Sequence, residues 1–294
     1  EAVQQPAFNH PAAAPETFAL PGRKAPTPAE LERTIGAAWE LLVERWDGLE
    51  RDLPAMDIST LRERWIRPLF SLLDFNLEYQ RADLVLQDDL RFPISHLGLP
   101  LGTDLLRVPV HSVLPGDGGL DARREAGSGL RRLAPHDLLQ RYLNMNREAR
   151  WGLLCDGLRL RLLRDYHHTY TRGYVEFDLQ GIFSSRDYAA FRALYRLCHA
   201  SRFIPMPASA AAPAATPAEA PRRGGKAAAG PVVEEEEEAP AEEAAAETPT
   251  PLESFYQHAL ATGVKVGEDL RKNVRQAIET FANGFLQATP GLPA

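Results

Sequence analysis

The stretch that decides the fold is Trp151-Gly152-Leu153-Leu154-Cys155-Asp156-Gly157-Leu158-Arg159-Leu160-Arg161-Leu162. Its dipeptide Asp156-Gly157 favours a two-residue type I′ turn, which needs a positive φ. Beyond the turn, leucines alternate with Arg159 and Arg161, which is the period of a strand with one buried face. The stretch therefore predicts a β-hairpin that carries arginines on one face.

Helices and further short strands are predicted on both sides of this hairpin. Capping boxes at Thr27 with Glu30 and at Thr60 with Glu63 each open a helix with an apolar stripe. Pro68 should bend the second helix, because proline lacks one hydrogen-bond donor. Pro135 and Ser184 open two more helices. The remaining candidate strands are 83–86, 91–95, 108–114 and 174–179.

This order of helices and strands predicts an α/β domain over residues 28–203. Residues 1–27 lack the features of a signal peptide and are expected to form a disordered N-terminus. Residues 204–250 are rich in Ala, Pro and Glu, a composition that predicts a disordered linker. Residues 251–294 are predicted to be a helical segment. Residues 251–287 have a helical period, and their apolar stripe from Val266 to Phe285 must dock on the first domain, on a partner or on further chain. Because the sequence begins at Glu1, we expect a piece of a longer protein.

Net charge gives no sign of a strongly basic protein. The chain has a formal charge of −7, and residues 205–250 hold nine acids against Arg222, Arg223 and Lys226. Any DNA-binding face must therefore come from local clusters of arginine. The sequence contains no run of about 18 apolar residues, so it predicts no membrane span. Cys155 and Cys198 sit in apolar stretches and are expected to be inert core residues of a cytoplasmic protein.

A nuclease of the PD-(D/E)xK type would need two strand-borne carboxylates that hold Mg²⁺ and a lysine that polarises the attacking water. Asp83 is the candidate first acid, but no lysine occurs between Lys24 and Lys226, and the stretch 108–114 has no acid. The sequence also has no P-loop, no G-x-S-x-G elbow and no G-x-G-x-x-G. We therefore assign no catalytic residue.

Arginine is the remaining signal for a ligand. Guanidinium forks suit phosphate, so the candidate DNA contacts are the exposed-looking arginines of this region: Arg123, Arg124, Arg131, Arg132, Arg159 and Arg161. The alternative is a solvated face with local ion pairs, because Asp121, Glu125 and Glu148 offset part of the charge.

Several segments together resemble a known family. They are Arg64-Trp65-Ile66-Arg67-Pro68-Leu69-Phe70, Phe92-Pro93-Ile94-Ser95-His96, Asp137-Leu138-Leu139-Gln140-Arg141-Tyr142-Leu143-Asn144, the hairpin segment 151–165, and Tyr174-Val175-Glu176-Phe177-Asp178-Leu179. In this order they look like the N-terminal region of type IIG-like restriction-modification enzymes, including the adenine-specific DNA methyltransferases of phage-defence islands such as DISARM. The stretch from Val266-Gly267-Glu268-Asp269-Leu270-Arg271 through Asn283-Gly284-Phe285-Leu286 resembles the helical region that leads into their methyltransferase domain.

The resemblance implies a degenerate nuclease-like α/β fold that has lost its cutting site. It also implies S-adenosylmethionine as the cofactor of the full-length parent, although this chain has no N-P-P-Y-type motif. The expected partners are DNA and either the rest of the methyltransferase polypeptide or other defence-system subunits. We therefore expect a non-catalytic module that aids DNA engagement or assembly. The alternatives are a divergent Mg²⁺-dependent endonuclease that uses Asp83 and a structural docking module without DNA contact.

Overall fold

The computed structural model describes seven stretches of the chain, namely residues 10–86, 90–104, 106–116, 118–123, 129–166, 173–206 and 248–263. Two long helical units come first. Helix α1 spans Pro28–Asp47 and begins with the predicted capping box, in which Thr27 and Glu30 bond each other's backbone amides. Its buried stripe includes Ile35, Leu42 and Trp46.

The second unit consists of α2 (Ile58–Leu61), a π-helical turn (Arg62–Ile66) and α3 (Arg67–Leu72). Its N-cap is Asp57, which accepts from the amides of Ser59 and Thr60, so the predicted capping box at Thr60 is wrong. Pro68 follows the π turn, where the helix widens because proline cannot donate to the preceding turn. The carbonyl of Arg64 accepts a hydrogen bond from Arg45 Nη1 at 3.3 Å instead.

The centre of the molecule is a six-stranded mixed sheet. Its strands, in spatial order, are β1 (Phe75–Tyr79), β4 (His96–Pro100), β5 (Val108–Ser112), β6 (Trp151–Cys155), β7 (Arg159–Arg164) and β8 (Tyr174–Asp178). All neighbours are antiparallel except β5 and β6, which α4 (Pro135–Met145) connects. Strands β2 (Leu84–Val85) and β3 (Arg91–Phe92) form a separate hairpin. The prediction of an α/β fold is confirmed.

Strands β6 and β7 confirm the predicted hairpin, with Leu153 opposite Leu162. Its turn differs from the prediction. Gly157 has a φ of 87°, but Asp156 is not among the non-glycine residues with positive φ, so the turn is not type I′. The Asp156 carboxylate instead accepts from the amides of Leu158 (3.0 Å) and Arg159 (2.7 Å), which closes the turn from the side chain.

Helices cover both faces of the sheet. On one face α1, α2, α3, α5 (Leu179–Ser184) and α6 (Tyr188–Cys198) enclose the main core, with Trp46, Trp65 and Phe183 in mutual ring contact. On the other face α4 and the β2–β3 hairpin enclose a smaller core. Cys155 and Cys198 are fully buried, and burial raises the pKa of both thiols, as expected for inert core residues.

Helix α6 does not begin at Ser184 as predicted. Asp187 caps it by accepting from the amide of Ala190, while Asp178 caps α5. Ser184 lies at the end of α5, where it accepts from Trp46 Nε1 and donates to Glu50. The described residues contain no helix that is long and apolar enough to cross a membrane.

The prediction of a disordered stretch up to residue 27 is wrong for residues 10–27. Two 3₁₀ turns, Pro11–Ala13 and Pro15–Phe18, pack on the domain and bury Ala12 and Phe18. The reason is Arg202, a fully buried arginine that donates to the carbonyls of Ala12 and Thr17. Most of the predicted linker, residues 207–247, lies outside the described residues.

The chain after the linker contacts the first domain within residues 251–263, whereas the predicted apolar stripe, Val266 to Phe285, is not among the described residues. Residues 251–263 form a helix, α7. Leu252 is buried in the main core, and Glu253 forms a two-pronged ion pair with Arg164 at 3.0 and 3.1 Å. Tyr256 lies under the same guanidinium at 4.1 Å. Residues 264–294, with the rest of the predicted helical segment, lie outside the described residues.

Candidate nucleic-acid interface

Arg161, one of the six candidate DNA contacts, lies inside the protein. Its side chain is 3% exposed and donates to both oxygens of Asp121 at 2.7 Å and to Glu176 at 2.5 Å. The ring of Tyr174 covers it at 4.3 Å. Burial alone would lower the pKa of Arg161, but the two carboxylates raise it above its ordinary value. This guanidinium binds protein carboxylates and offers no surface to a phosphate, so the prediction fails at this residue.

Three of the other candidates are exposed: Arg123, Arg132 and Arg159. Arg159 is the first residue of β7, and Gly119 lies against its guanidinium, too close for a Cβ at that position. Arg132 ends a 3₁₀ turn shortly before α4, whose second residue, His136, contacts Arg161 at 3.2 Å. Arg124 and the side chain of Arg131 lie outside the described residues.

Arg159 belongs to a distinct edge of the sheet, at which β5 and β6 end and β4 and β7 begin. We call it the Ser112 edge, after the last residue of β5, which pairs with Cys155 at the end of β6. In open α/β sheets, ligands bind outside the carboxyl ends of parallel strands. The carboxyl ends of the parallel strands β5 and β6 both lie at the Ser112 edge, so this edge has the position at which such sheets bind ligands.

Arg62 reaches the Ser112 edge from the π turn. Its Nε donates to Ser112 Oγ at 2.8 Å and one terminal nitrogen donates to the Ser112 carbonyl at 3.3 Å. The ring of Tyr79 lies 5.2 Å from the guanidinium. Partial burial lowers the pKa of Arg62 from its ordinary value, although it remains charged at neutral pH. Within the described chain, these contacts supply neutral oxygens and an aromatic ring, and no carboxylate faces this guanidinium.

Hydroxyl groups connect Arg62 to a histidine. Ser112 Oγ lies 3.1 Å from Ser95 Oγ, which in turn lies 2.9 Å from His96 Nδ1 and accepts from the Ser112 amide at 2.7 Å. The Ser95 hydroxyl also donates to the Val110 carbonyl at 3.3 Å, and Ser112 Oγ lies 3.4 Å from the same Nδ1 atom. The pKa of His96 is lowered to about 4, mainly by burial and to a smaller extent by the nearby positive charges of Arg62 and Arg67. His96 is therefore neutral at pH 7.

A small recess of about 30 Å³ opens beside this network, lined by Arg62, Arg67, Tyr79 and His96 among others. That volume holds one water molecule or one oxygen atom of a larger ligand. Arg67 at its rim pairs with Glu63 at 3.1 Å, and both side chains are more than half exposed. The recess thus offers hydrogen-bond donors and positive charge, which suit an anionic oxygen such as that of a phosphate.

The Mg²⁺ site of a nuclease does not fit the Ser112 edge. Mg²⁺ takes carboxylate oxygens, whereas the β4–β5 part of this edge presents serine hydroxyls, an imidazole and the positive charge of Arg62. Asp156, which follows β6 at the same edge, has its carboxylate engaged by the amides of Leu158 and Arg159. Asp83, the only acid proposed for a metal, is partly exposed just before β2, on the separate hairpin. Across the described ranges no group of three His, Cys, Asp or Glu side chains is placed to hold a metal ion.

Sequence reasoning missed the Arg62 network, although Ser95 and His96 end the quoted segment Phe92–His96. Arg62 itself was not singled out, and it lies two residues before the quoted segment Arg64–Phe70. Trp65 in that segment donates to the Gly157 carbonyl at 2.7 Å. Three of the five quoted segments thus have residues at this edge of the sheet, and considering them together would have pointed to it.

Comparison of the chain with protein-family models, with curated proteins and with solved structures finds no match.

Proposed function

We propose that this chain is a non-catalytic, nuclease-like α/β module of a type IIG-like restriction-modification adenine DNA methyltransferase, and that it holds DNA by its phosphates without cutting it. The observation that carries this proposal is the donor set of the Ser112 edge. A cutting site at this edge would need carboxylates free to bind a metal, whereas Arg62, Ser95, His96 and Ser112 occupy its β4–β5 part and the Asp156 carboxylate closes the β6–β7 turn.

The topology is compatible with a nuclease-derived fold. An antiparallel run of β1, β4 and β5 is followed by the helical connection α4 to the parallel strand β6. The strand on which the nuclease pattern requires an acid corresponds to β5, whose five residues are Val108, Pro109, Val110, His111 and Ser112. We therefore infer a relative of the nucleases in which the metal-binding acids have been replaced.

Positive charge near the Ser112 edge supports contact with a phosphate backbone. Arg62 faces neutral partners only among the described residues, and Arg159 is exposed at the same edge. Arg132 stands before α4, whose first turn touches β7 at Arg161. Contacts of this kind bind DNA of any sequence and weaken steeply with salt.

A second candidate, a docking module without DNA contact, is favoured by α7. Leu252 is buried in the main core and Glu253 is clamped by Arg164, so this domain already binds a segment that follows it in the chain. S-adenosylmethionine would be bound elsewhere in the parent protein, and no residue of this chain is assigned to it.

The test uses the full chain and a fluorescein-labelled duplex. We expect fluorescence anisotropy to show sequence-independent binding whose log–log salt slope between about 50 and 200 mM is near −0.9 per phosphate contact. The double variant R132A/R159A should flatten that slope, whereas R33A/R51A, which removes two exposed arginines in or just after α1, should leave it unchanged. Absence of binding at the lowest salt would favour the docking module.

A plasmid-nicking assay with Mg²⁺ or Mn²⁺ separates the module from an endonuclease. We expect no nicking. Metal-dependent nicking that disappears in Asp83→Ala would contradict the proposal and establish the endonuclease alternative.

A further inference from the structure

A second cavity lies away from the Ser112 edge, between the N-terminal segment, α1 and the end of α6. It has a volume of about 150 Å³, and its apolar wall comes from Phe18, Leu20 and Leu31. The rings of Tyr195 and His199 also line it. The cavity is open to solvent and its lining also includes polar side chains, and its volume is sufficient for a benzene-sized ring. The DNA-binding role proposed above makes no use of this cavity.

Charged groups stand on one side of this cavity. Arg23 and Lys24 line it and are exposed, and Asp74 lines it as well. Asp74 accepts from His199 Nε2 at 3.1 Å and lies 3.7 Å from Arg23 Nη1. The Asp74 carboxylate is thus already paired. Lys24 has a different carboxylate nearby: the hydrogen bonds of Thr27, and to a smaller extent the charge of Lys24, lower the pKa of Glu30, which does not line the cavity.

His199 contributes no charge of its own. Its Nδ1 accepts from the Ser201 amide at 3.2 Å, so its proton is on Nε2, which faces Asp74. Burial lowers the pKa of His199, and the positive charges of Arg202 and Arg23 lower it further against the opposing effect of Asp74. The ring is therefore neutral at pH 7.

A buried cation stands behind the apolar wall. The Arg202 guanidinium stacks on the ring of Phe18 at 3.6 Å, and its described hydrogen bonds all go to neutral oxygens of Ala12, Thr17 and Ser201. Burial, with a smaller effect of Arg196, lowers its pKa to about 9. Charges are felt more strongly through a protein interior than through water. Arg202, Arg23 and Lys24 stand against the carboxylates of Asp74 and the nearby Glu30, so the surroundings of the cavity keep a small net positive charge.

We propose that this cavity binds a small organic anion, namely a carboxylate carried on a flat apolar body. The body lies among Phe18, Leu20 and Leu31, and the carboxylate lies towards Arg23 and Lys24. A small organic cation is disfavoured because the Asp74 carboxylate already accepts from His199 and pairs with Arg23. An inorganic anion would leave the apolar wall unused.

Benzoate, benzamide and benzylamine test the proposal, because they share one ring and differ in charge. Titration of the full chain by calorimetry should show benzoate binding at least about tenfold more tightly than benzamide, the ratio expected from one charge-assisted hydrogen bond. Acetate and inorganic phosphate should bind more weakly than benzoate. Equal binding of benzoate and benzamide, or tighter binding of benzylamine, would overturn the proposal.

The place of binding is tested separately. Nuclear Overhauser contacts should join the benzoate ring protons to the methyl groups of Leu20 and Leu31. The variant R23Q/K24Q changes only exposed side chains, so it should keep the melting temperature and remove the preference for benzoate over benzamide. The control Arg33→Gln, on α1, should keep that preference. Contacts elsewhere on the protein, or a preference that survives in R23Q/K24Q, would refute the site.

Discussion

Arg161 and Arg62 were not equally visible in the sequence, and the structure reverses their apparent roles. Arg161 belongs to an alternating strand that predicts an exposed face, yet Asp121 and Glu176 saturate it under the ring of Tyr174. Arg62 lies in an ordinary helical stretch, yet it stands at the Ser112 edge with hydroxyl and carbonyl partners. The comparison teaches that the partners of an arginine, rather than its position in a pattern, decide whether it can bind a phosphate.

The largest effect is expected at Arg161. Arg161→Met leaves two carboxylates without their cation. The side chains of Asp121 and Glu176 are 38% and 32% exposed, so water can solvate them in part when Arg161 is removed. We therefore expect a loss of about 3 kcal/mol in the free energy of unfolding, at the lower end for breaking a buried ion pair. Urea denaturation measures it. DNA affinity per folded molecule should not change.

The matched control is Arg67→Met, which breaks the exposed pair with Glu63 and should cost less than about 1 kcal/mol. If Arg161→Met is more stable than the wild type, the ion pairs of Arg161 contribute less free energy than the desolvation of these charges costs. If Arg161→Met reduces the salt slope of DNA binding, Arg161 contacts DNA after all.

The second effect comes from the neutral imidazole at the Ser112 edge. The pKa of His96 is about 4 in the folded protein and near 6.5 when unfolded, so only the unfolded chain gains this proton as the pH falls through that window. The folded state is therefore destabilised between pH 6.5 and 4, whereas above pH 6.5 the group has no effect. We expect its share to be about 2 kcal/mol.

Urea denaturation of the wild type and His96→Asn at pH 7 and pH 4.5 measures this share. Asparagine keeps an acceptor near Ser95 and does not titrate, so the variant should lose less stability on acidification. Other groups with lowered pKa values, such as Glu253 and His199, contribute equally to both proteins and cancel in the comparison. Identical pH dependence of the two proteins would mean that folding does not lower the pKa of His96, so that this residue is protonated at pH 4.5 in the folded protein as well.

The third effect concerns Arg62 itself. Arg62→Gln should lower DNA affinity by about tenfold at low salt and reduce the log–log slope by about 0.9, because one charge-assisted phosphate contact is lost. Arg62→Lys keeps the charge and should retain most of the slope, although both variants lose hydrogen bonds to Ser112. Arg33→Gln, on α1, serves as the control. If Gln and Lys variants bind alike, the contact is structural only.

The smallest effect is expected at Arg159, which is exposed on the same strand as Arg161. Arg159→Ala should change the free energy of unfolding by less than about 0.5 kcal/mol. It should still reduce the salt slope by about 0.9. Thermal unfolding and anisotropy on one preparation measure both quantities. An unchanged slope would restrict DNA contact to Arg62 and Arg132.

Local chemistry made much of the fold predictable. The capping box at Thr27, the hairpin of β6 and β7, and the burial of both cysteines depend on residues close in sequence or on simple apolar patterns. Strand β4 was missed because all five of its residues are buried, which removes the alternation, and because Gly98 and Pro100 read as loop residues. The three-dimensional neighbours of a strand, rather than its own pattern, define it in such a case.

The candidate site was less predictable for the same reason. Arg62 meets Ser112 across a separation of fifty residues, and Arg161 meets Asp121 across forty. Neither pairing has a local sequence signature. Likewise, Arg202 orders residues 10–18 from the far end of the domain, so that a proline- and alanine-rich start with no periodicity is nevertheless folded.

A hydrogen bond joins the two described ranges on either side of residues 207–247. The Met206 amide donates to the Pro249 carbonyl at 3.1 Å, so these two positions meet in the fold although they are far apart in the sequence. For a flexible loop, each doubling of its length changes the closure entropy by only about 0.6 kcal/mol. Because the flanking residues themselves form this junction, we expect α7 to keep its place on the domain when the length of chain between them changes.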